Sequence, residues 1–279
     1  MKATRRISLI FMALAMAGAS DASALTVVTS FIGGNPPANT SGAGNLTDIV
    51  NAAARMWAAA YSDEFTINLH YGWAPVGSAG THTLVLQGGE PNREINGVIL
   101  FDNSGAVSFF LDPTPDTDDE YLRRTEEYQN LGGGFLNVAR VFSQPSGDAL
   151  GHTDLLSVVL HEIGHAMGMS CANSAFALES ADGLIVIGAP LPHYGTVIPL
   201  AVNNQGFTSH FDPLTVIYGS VMAGVSGDER RLPSALDILA NAQVSGFVQP
   251  NLELQPAVPN RGVPQRGAGI ASGPAPIRR

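Results

Sequence analysis

The sequence predicts an α+β fold. We expect a mixed sheet with two helices in an N-terminal lobe, then a buried central helix, then an irregular C-terminal lobe closed by a last helix. Three observations carry this reading. Apolar residues recur at helical spacing in two stretches, Ile49, Ala53, Met56, Trp57 and Ala60, and again Leu155, Val158, Val159, Ile163, Ala166 and Met167. Between them Phe65, Ile67, Leu69 and Tyr71 alternate with Thr66, Asn68, His70 and Gly72, the period of a half-buried strand. The second helical stretch also contains His161-Glu162-Ile163-Gly164-His165.

Residues 1–24 have the composition of a secretory signal peptide. Lys2, Arg5 and Arg6 precede an apolar run from Ile7 to Ala19, and Ala22-Ser23-Ala24 supplies a small-x-small cleavage site. The run is too short to span a bilayer. The expectation is an extracytoplasmic protein, secreted or periplasmic, that starts at Leu25. The chain holds 14 Lys and Arg against 24 Asp and Glu, and leaving out Lys2, Arg5, Arg6 and Asp21 gives 11 against 23, a net charge of −12. Nucleic acid is a poor partner for such a chain, because its phosphates are repelled. Cys171 is the single cysteine, so no intramolecular disulfide forms and stability must come from a core or from bound metal. Residues 25–247 suffice to bury that core as one domain.

In chain order, Leu25 to Ile32 is β-rich and gives way to Gly, Pro, Asn and Ser, a strand followed by a loop. The spacing from Leu46 to Tyr61 lays an amphipathic helix on a sheet. The alternating strand beginning at Phe65 comes next, with His70 on its polar face. Thr83 to Gln87, Gly97 to Phe101 and Val107 to Leu111 are further strands, the last after the turn-forming Asn103-Ser104-Gly105. Asp112, Asp116, Asp118, Asp119 and Glu120 crowd one loop. Their oxygens admit Ca2+, but the EF-hand spacing is missing, so the loop reads first as a solvated acidic segment. Tyr121 to Asn130 reads as a short polar helix ended by Gly132-Gly133-Gly134, a turn or hinge.

Beyond the central helix, Leu184 to Ile187 is a short strand or buried loop, and residues 198–220 show no strong period. Ser234 is an N-cap with Asp237 at the third helical position, a capping-box variant that opens a helix running to Val244. Residues 248–279 are rich in Pro and Gly without apolar periodicity and read as a disordered tail.

The chemistry concentrates in the helix after Thr153, its expected N-cap. His161 and His165 are four residues apart, so their imidazoles share a face and reach one tetrahedral metal ion together. Glu162 projects beside the open coordination position, where a carboxylate can take a proton from a zinc-activated water. Gly168 lets the chain leave the helix just beyond the metal face. A hydrolytic zinc needs one more protein ligand. Cys171 follows directly after the turn, His193 sits in a Pro/Gly loop where exposure is expected, and Glu179 with Asp182 lies against a Gly break. His210 is the fourth candidate. His82 and His152 read as ordinary polar residues.

His161-Glu162-x-x-His165-x-x-Gly168 resembles the zinc signature of the metzincin metalloproteases, and Gly219-Ser220-Val221-Met222-Ala223-Gly224 resembles their Met-turn. In most families of that clan the third ligand falls where this chain has Cys171. The leishmanolysin-like branch instead places a third His about a dozen residues before the Met-turn, and His210 stands in that position relative to Met222. The resemblance covers residues 155–245. It implies one catalytic Zn2+ held by His161, His165 and His210, with Glu162 as general base and Met222 as a packed base beneath the metal. The implied activity is that of a secreted zinc endopeptidase acting on protein or peptide. It also implies an edge strand beside the cleft that pairs with extended substrate, here Val107–Leu111 or Gly97–Phe101. A Tyr that follows the Met-turn in some metzincins is replaced by Ala223-Gly224, which leaves Tyr194 and Tyr218 as weak substitutes. Two other readings share the zinc site: a non-catalytic exported protein stabilised by zinc, and a zinc amidase acting on a non-peptide substrate. A purely structural site has no need of Glu162.

Overall fold

The computed structural model describes residues 25–214, 219–224 and 227–253, so the expected leader and most of the expected tail lie outside the described residues. Strands β1 (Thr26–Gly33) and β2 (Thr66–Ala74) run parallel, which demands a crossover, and α1 (Leu46–Ala59) provides it. Asn45 caps α1 by accepting from the Asp48 amide, and Ile49, Ala53 and Trp57 form its buried face. Strands β3 (Gly80–Gly88) and β4 (Arg93–Asp102) complete a four-stranded sheet ordered β1-β2-β4-β3, with β3 antiparallel at the edge.

After the two-residue β5 (Phe109–Phe110), β6 (Tyr121–Asn130) and β7 (Phe135–Pro145) form a long antiparallel hairpin. The helix expected over Tyr121–Asn130 is therefore a strand. Its residues are good helix formers, but Glu126 lies directly across the ladder from Arg140, and this cross-strand pair, with Arg124 on the same face of β6 bonded to Glu126, rewards the extended form. The triple glycine turns the hairpin, with the Asn130 side chain accepting from the amides of Gly132 and Gly134. Strand β8 (Thr153–Asp154) pairs in parallel with β5 and leads into α2 (Leu155–Ala166). Asp154 caps α2, one residue later than expected, by accepting from the Ser157 amide at 3.0 Å.

The C-terminal part is more ordered than its weak periodicity predicts. It holds α3 (Ser174–Glu179), β9 (Leu184–Val186), β10 (Val197–Asn203), β11 (Gly206–Phe211), β12 (Arg230–Arg231) and α4 (Ala235–Ser245). Strands β9, β10 and β11 make a three-stranded antiparallel sheet, and β12 joins the edge of β7. The described residues thus contain four α-helices and four sheets, an α+β arrangement. No described helix is long and apolar enough to cross a membrane.

Every residue of α2 is buried. The helix is the centre of the core, and both lobes bond to it or beside it. Trp57 of α1 donates its indole N–H to the Leu160 carbonyl at 2.9 Å, and Tyr61 donates to Ile238 of α4 at 2.9 Å. Burying these large rings while pairing their polar tips gives apolar stabilisation without an orphaned donor.

The acidic loop is solvated in part: Asp116 and Asp119 are exposed as expected, whereas Asp112 and Asp118 turn inward. Asp112 is fully buried, and it accepts from Arg230 of β12 at 2.5 Å. The same guanidinium reaches both oxygens of Asp154, at 2.9 and 3.2 Å, and Asp118 at 3.2 Å. Burial alone pulls Arg230 down, but Asp154 and Asp112 hold it well above its ordinary value. One arginine therefore ties the loop, the N-cap of α2 and β12 together. Replacing Arg230 by Met leaves buried carboxylates without their counter-charge and is expected to lower unfolding free energy by about 3–5 kcal/mol, read from urea denaturation. An unchanged midpoint would show that the cluster contributes nothing.

Candidate metal centre

The site begins with two turns of α2 and one strand that returns to it. His161 and His165 lie one turn apart on α2, and β11 brings His210 against them from a distant part of the chain. The Nε2 atoms of His161 and His165 are 3.0 Å apart, and those of His161 and His210 are 3.1 Å apart. Among the described residues this is a group of three whose ligand atoms all lie within 4.8 Å of one another, close enough to hold one metal ion.

The backbone around the rings decides which nitrogens are free. His161 donates from Nδ1 to the Val221 carbonyl at 2.8 Å, and His165 donates from Nδ1 to the Met169 carbonyl. With the proton on Nδ1, a neutral ring presents a bare lone pair at Nε2. Two such lone pairs facing each other at 3.0 Å repel unless a cation lies between them. Burial first, and then the His210 ring, pulls His161 down to about 4. Burial also takes His165 well below the ordinary imidazole range and lowers His210. All three rings are thus held in the neutral, metal-binding form at neutral pH. A tetrahedral zinc with Zn–N bonds of about 2.0–2.1 Å separates its ligand nitrogens by about 3.3 Å, so the donor set fits such an ion.

Glu162 shares a cleft of about 600 Å³ with the three histidines. Its carboxyl is buried, no hydrogen-bond partner among the described residues holds it, and burial pushes it up to about 8. Gly80 of β3 makes room for it, since a Cβ there would lie 2.9 Å from Glu162 Oε1. A buried carboxyl without a partner is costly, and such groups mark sites of chemistry more often than sites of packing.

Beneath the ligands, Gly164 serves the same purpose inside α2. A Cβ there would come within 2.4 Å of Met222 Sδ and 3.2 Å of Trp57 Cζ2, so only glycine lets both side chains pack on that face. Met222 is fully buried in a single 3-10 turn over Val221–Ala223, opened by Ser220. Asp237 of α4 holds this turn: it accepts from Ser220 Oγ at 2.5 Å and from the Met222 amide at 3.0 Å, while its other oxygen closes a full capping box with Ser234. Asn241, one turn further along α4, accepts from the Met169 amide at 3.2 Å and so fixes the loop whose carbonyl orients His165. Gly168 leaves α2 with φ 147°, and a Cβ there would meet Ser245 Oγ at 2.6 Å.

The structure brings His161, Glu162, His165 and His210 to one cleft, with Met222 packed under α2. It leaves the other candidates apart. Cys171 is exposed on the cleft wall and outside the ligand group. His193 is half-buried rather than exposed and turns its Nδ1 toward the Gly133 carbonyl at 3.3 Å. Glu179 ends α3, Asp182 is exposed in the following turn, and Tyr194 is 69% exposed. Tyr218 lies outside the described residues. The two strands expected to form the cleft edge are corrected: Gly97–Phe101 belongs to β4, inside the sheet, and only Phe109–Phe110 of the other is strand, buried and paired. The edge beside the cleft is β3. It begins at Gly80, three residues before the stretch expected, and this places His82 in the strand. That residue is no ordinary polar group, since its side chain is buried against Glu94. The missed signal was the continuation of strand period back through Thr81 and Gly80, hidden by the glycine.

Comparison of the chain with protein-family models, with curated proteins and with solved structures finds no match. The reading of the site therefore rests on its own geometry. The Asp237 bridge generates a direct test. Substitution by Ala strands the Met222 amide and the Ser234 cap, and we expect a loss of roughly 2–4 kcal/mol in stability by denaturant titration. A loss below about 1 kcal/mol, the worth of an ordinary cap, would mean that the turn does not depend on it.

Proposed function

We propose that the protein is an exported zinc-dependent endopeptidase of the metzincin type, nearest the leishmanolysin-like branch. The observation that supports this best is the convergence of His161, His165 and His210 on one point in a cleft that also holds the unpartnered Glu162 carboxyl. The buried Met222 turn beneath the ligands agrees with the motif resemblance. Three neutral imidazoles with room for a further ligand suit zinc in a hydrolytic role.

When bound, the zinc supplies Lewis-acid chemistry, polarising a scissile carbonyl and making water easier to deprotonate. Glu162 accepts the proton of the attacking water and returns it to the leaving amine. In the metal-free chain burial holds this carboxyl up at about 8; a cation among the neighbouring imidazoles favours its ionised, proton-accepting form. Among the described residues β3 is the free edge of its sheet, which suits pairing with an extended peptide, and its first residues line the cleft. The leader-like composition of residues 1–24 supports export. A zinc-stabilised binding protein would share the three ligands but has no use for Glu162, and an amidase would share the whole centre.

Purified chain should carry one zinc by elemental analysis and should cleave casein. Glu162→Gln is expected to keep the metal and lose about 10²–10⁴-fold in turnover, His210→Ala to lose both, and Cys171→Ala to keep both. Casein cleavage that survives Glu162→Gln would remove the role given to that carboxylate. Zinc without cleavage of any protein or peptide would favour the binding-protein reading.

A further inference from the structure

One histidine and one acid outside the ligand group lie against the metal-binding helix. His82 of β3 and Glu94 of β4 meet Nε2 to Oε1 at 2.8 Å, with side chains 3% and 0% exposed. Taking such a pair out of water is costly, and Glu94 Oε2 has no partner, so packing economy does not account for it. The sheet has nevertheless reserved space for the pair. At Gly97, in the middle of β4, a Cβ would fall 1.9 Å from Glu94 Oε1 and 3.2 Å from His82 Nε2. Glycine weakens a strand interior and often marks a close approach of this kind.

The rings of the metal centre show where the pair acts. His161 and His210 lie face to face, 6° from parallel with centroids 5.0 Å apart, so each supports the other. His165 stands edge-on to them, at 81° and 84°, so both of its faces are left for other neighbours. Its stacked neighbour is His82, 25° from parallel with centroids 6.3 Å apart. Alternate residues of a strand share a face, so positions 80 and 82 of β3 both look onto α2, one over the Glu162 carboxyl and the other over the His165 ring.

We propose that His82 and Glu94 are positioning residues for the metal centre. Glu94 fixes the His82 ring, and that ring backs His165 so that its Nε2 meets those of His161 and His210, while edge strand β3 is anchored at the same point. The proposal rests on the metal centre described above and not on the reaction it performs.

The test is Zn2+ affinity of the full chain, measured at fixed pH by competition with a chromophoric chelator. Glu94→Gln and His82→Ala should each weaken binding about 10–100-fold, the usual effect of removing a residue that orients a ligand. Two further variants keep the test valid if these fold poorly. His82→Phe with Glu94→Leu keeps the bulk and removes the buried polar pair, a change that cores tolerate well; it should still bind Zn2+ more weakly and shift the visible bands of Co2+ substituted at the site. Gly97→Ala, which displaces the pair without altering either member, should weaken binding in the same direction. His152→Ala, remote from the centre, should change nothing. If the double variant binds Zn2+ as tightly as the unaltered chain, the pair is packing alone and the proposal falls. If the unaltered chain binds no Zn2+, the metal centre itself is wrong; if it binds but cleaves nothing, only the peptidase reading fails.

Discussion

Two imidazole nitrogens, of His161 and His165, held with their lone pairs toward each other are an unfavourable arrangement in the absence of a cation, and the surrounding structure holds them there with the His210 ring beside them. Two backbone carbonyls, from Val221 and Met169, take the Nδ1 protons and leave Nε2 bare. Burial keeps the rings neutral. A metal ion bound between the rings would relieve that repulsion, and part of its binding free energy would then be folding free energy.

The rest of the fold follows from the need to deliver those carbonyls and the third ring to α2. Helix α4 holds both carbonyl-bearing segments, through Asp237 to the Met222 turn and through Asn241 to the Met169 loop. The β10–β11 hairpin carries His210, and the Arg230 cluster fastens the start of α2 to β12. Glycines stand where backbone or side chain must come close: Gly164 against Met222 and Trp57, Gly80 over the Glu162 carboxyl, Gly97 around the His82–Glu94 pair. Gly164 and Gly97 lie inside regular elements, where glycine is otherwise unfavourable, and Gly80 opens β3.

The helical elements of this arrangement were legible because their signals are local. The i, i+4 histidines, the apolar stripe of α2 and the Ser234–Asp237 cap depend on residues within a turn or two of each other, and they are found as read. His210 was reached only through its distance from Met222, since nothing around it is periodic; β11 is short and its hairpin partner begins with Val197 and includes Pro199. Tyr121–Asn130 misled because charged, straight-chain residues favour helix in isolation, whereas the decisive partners sit on β7, as far away as Pro145. The acidic loop misled for the same reason: its counter-charge, Arg230, follows Asp112 by over a hundred residues. His82 was undervalued because both residues that give it meaning, Glu94 and His165, are contacts of the tertiary structure.

The account stands or falls on which atoms bind the metal. X-ray absorption at the zinc edge of the metal-loaded chain reads them directly. The structure predicts nitrogen and oxygen scatterers alone at about 2.0–2.1 Å, with an imidazole pattern fitted by three histidines. A sulfur scatterer at about 2.3 Å would place Cys171 on the metal in place of His210 and contradict it.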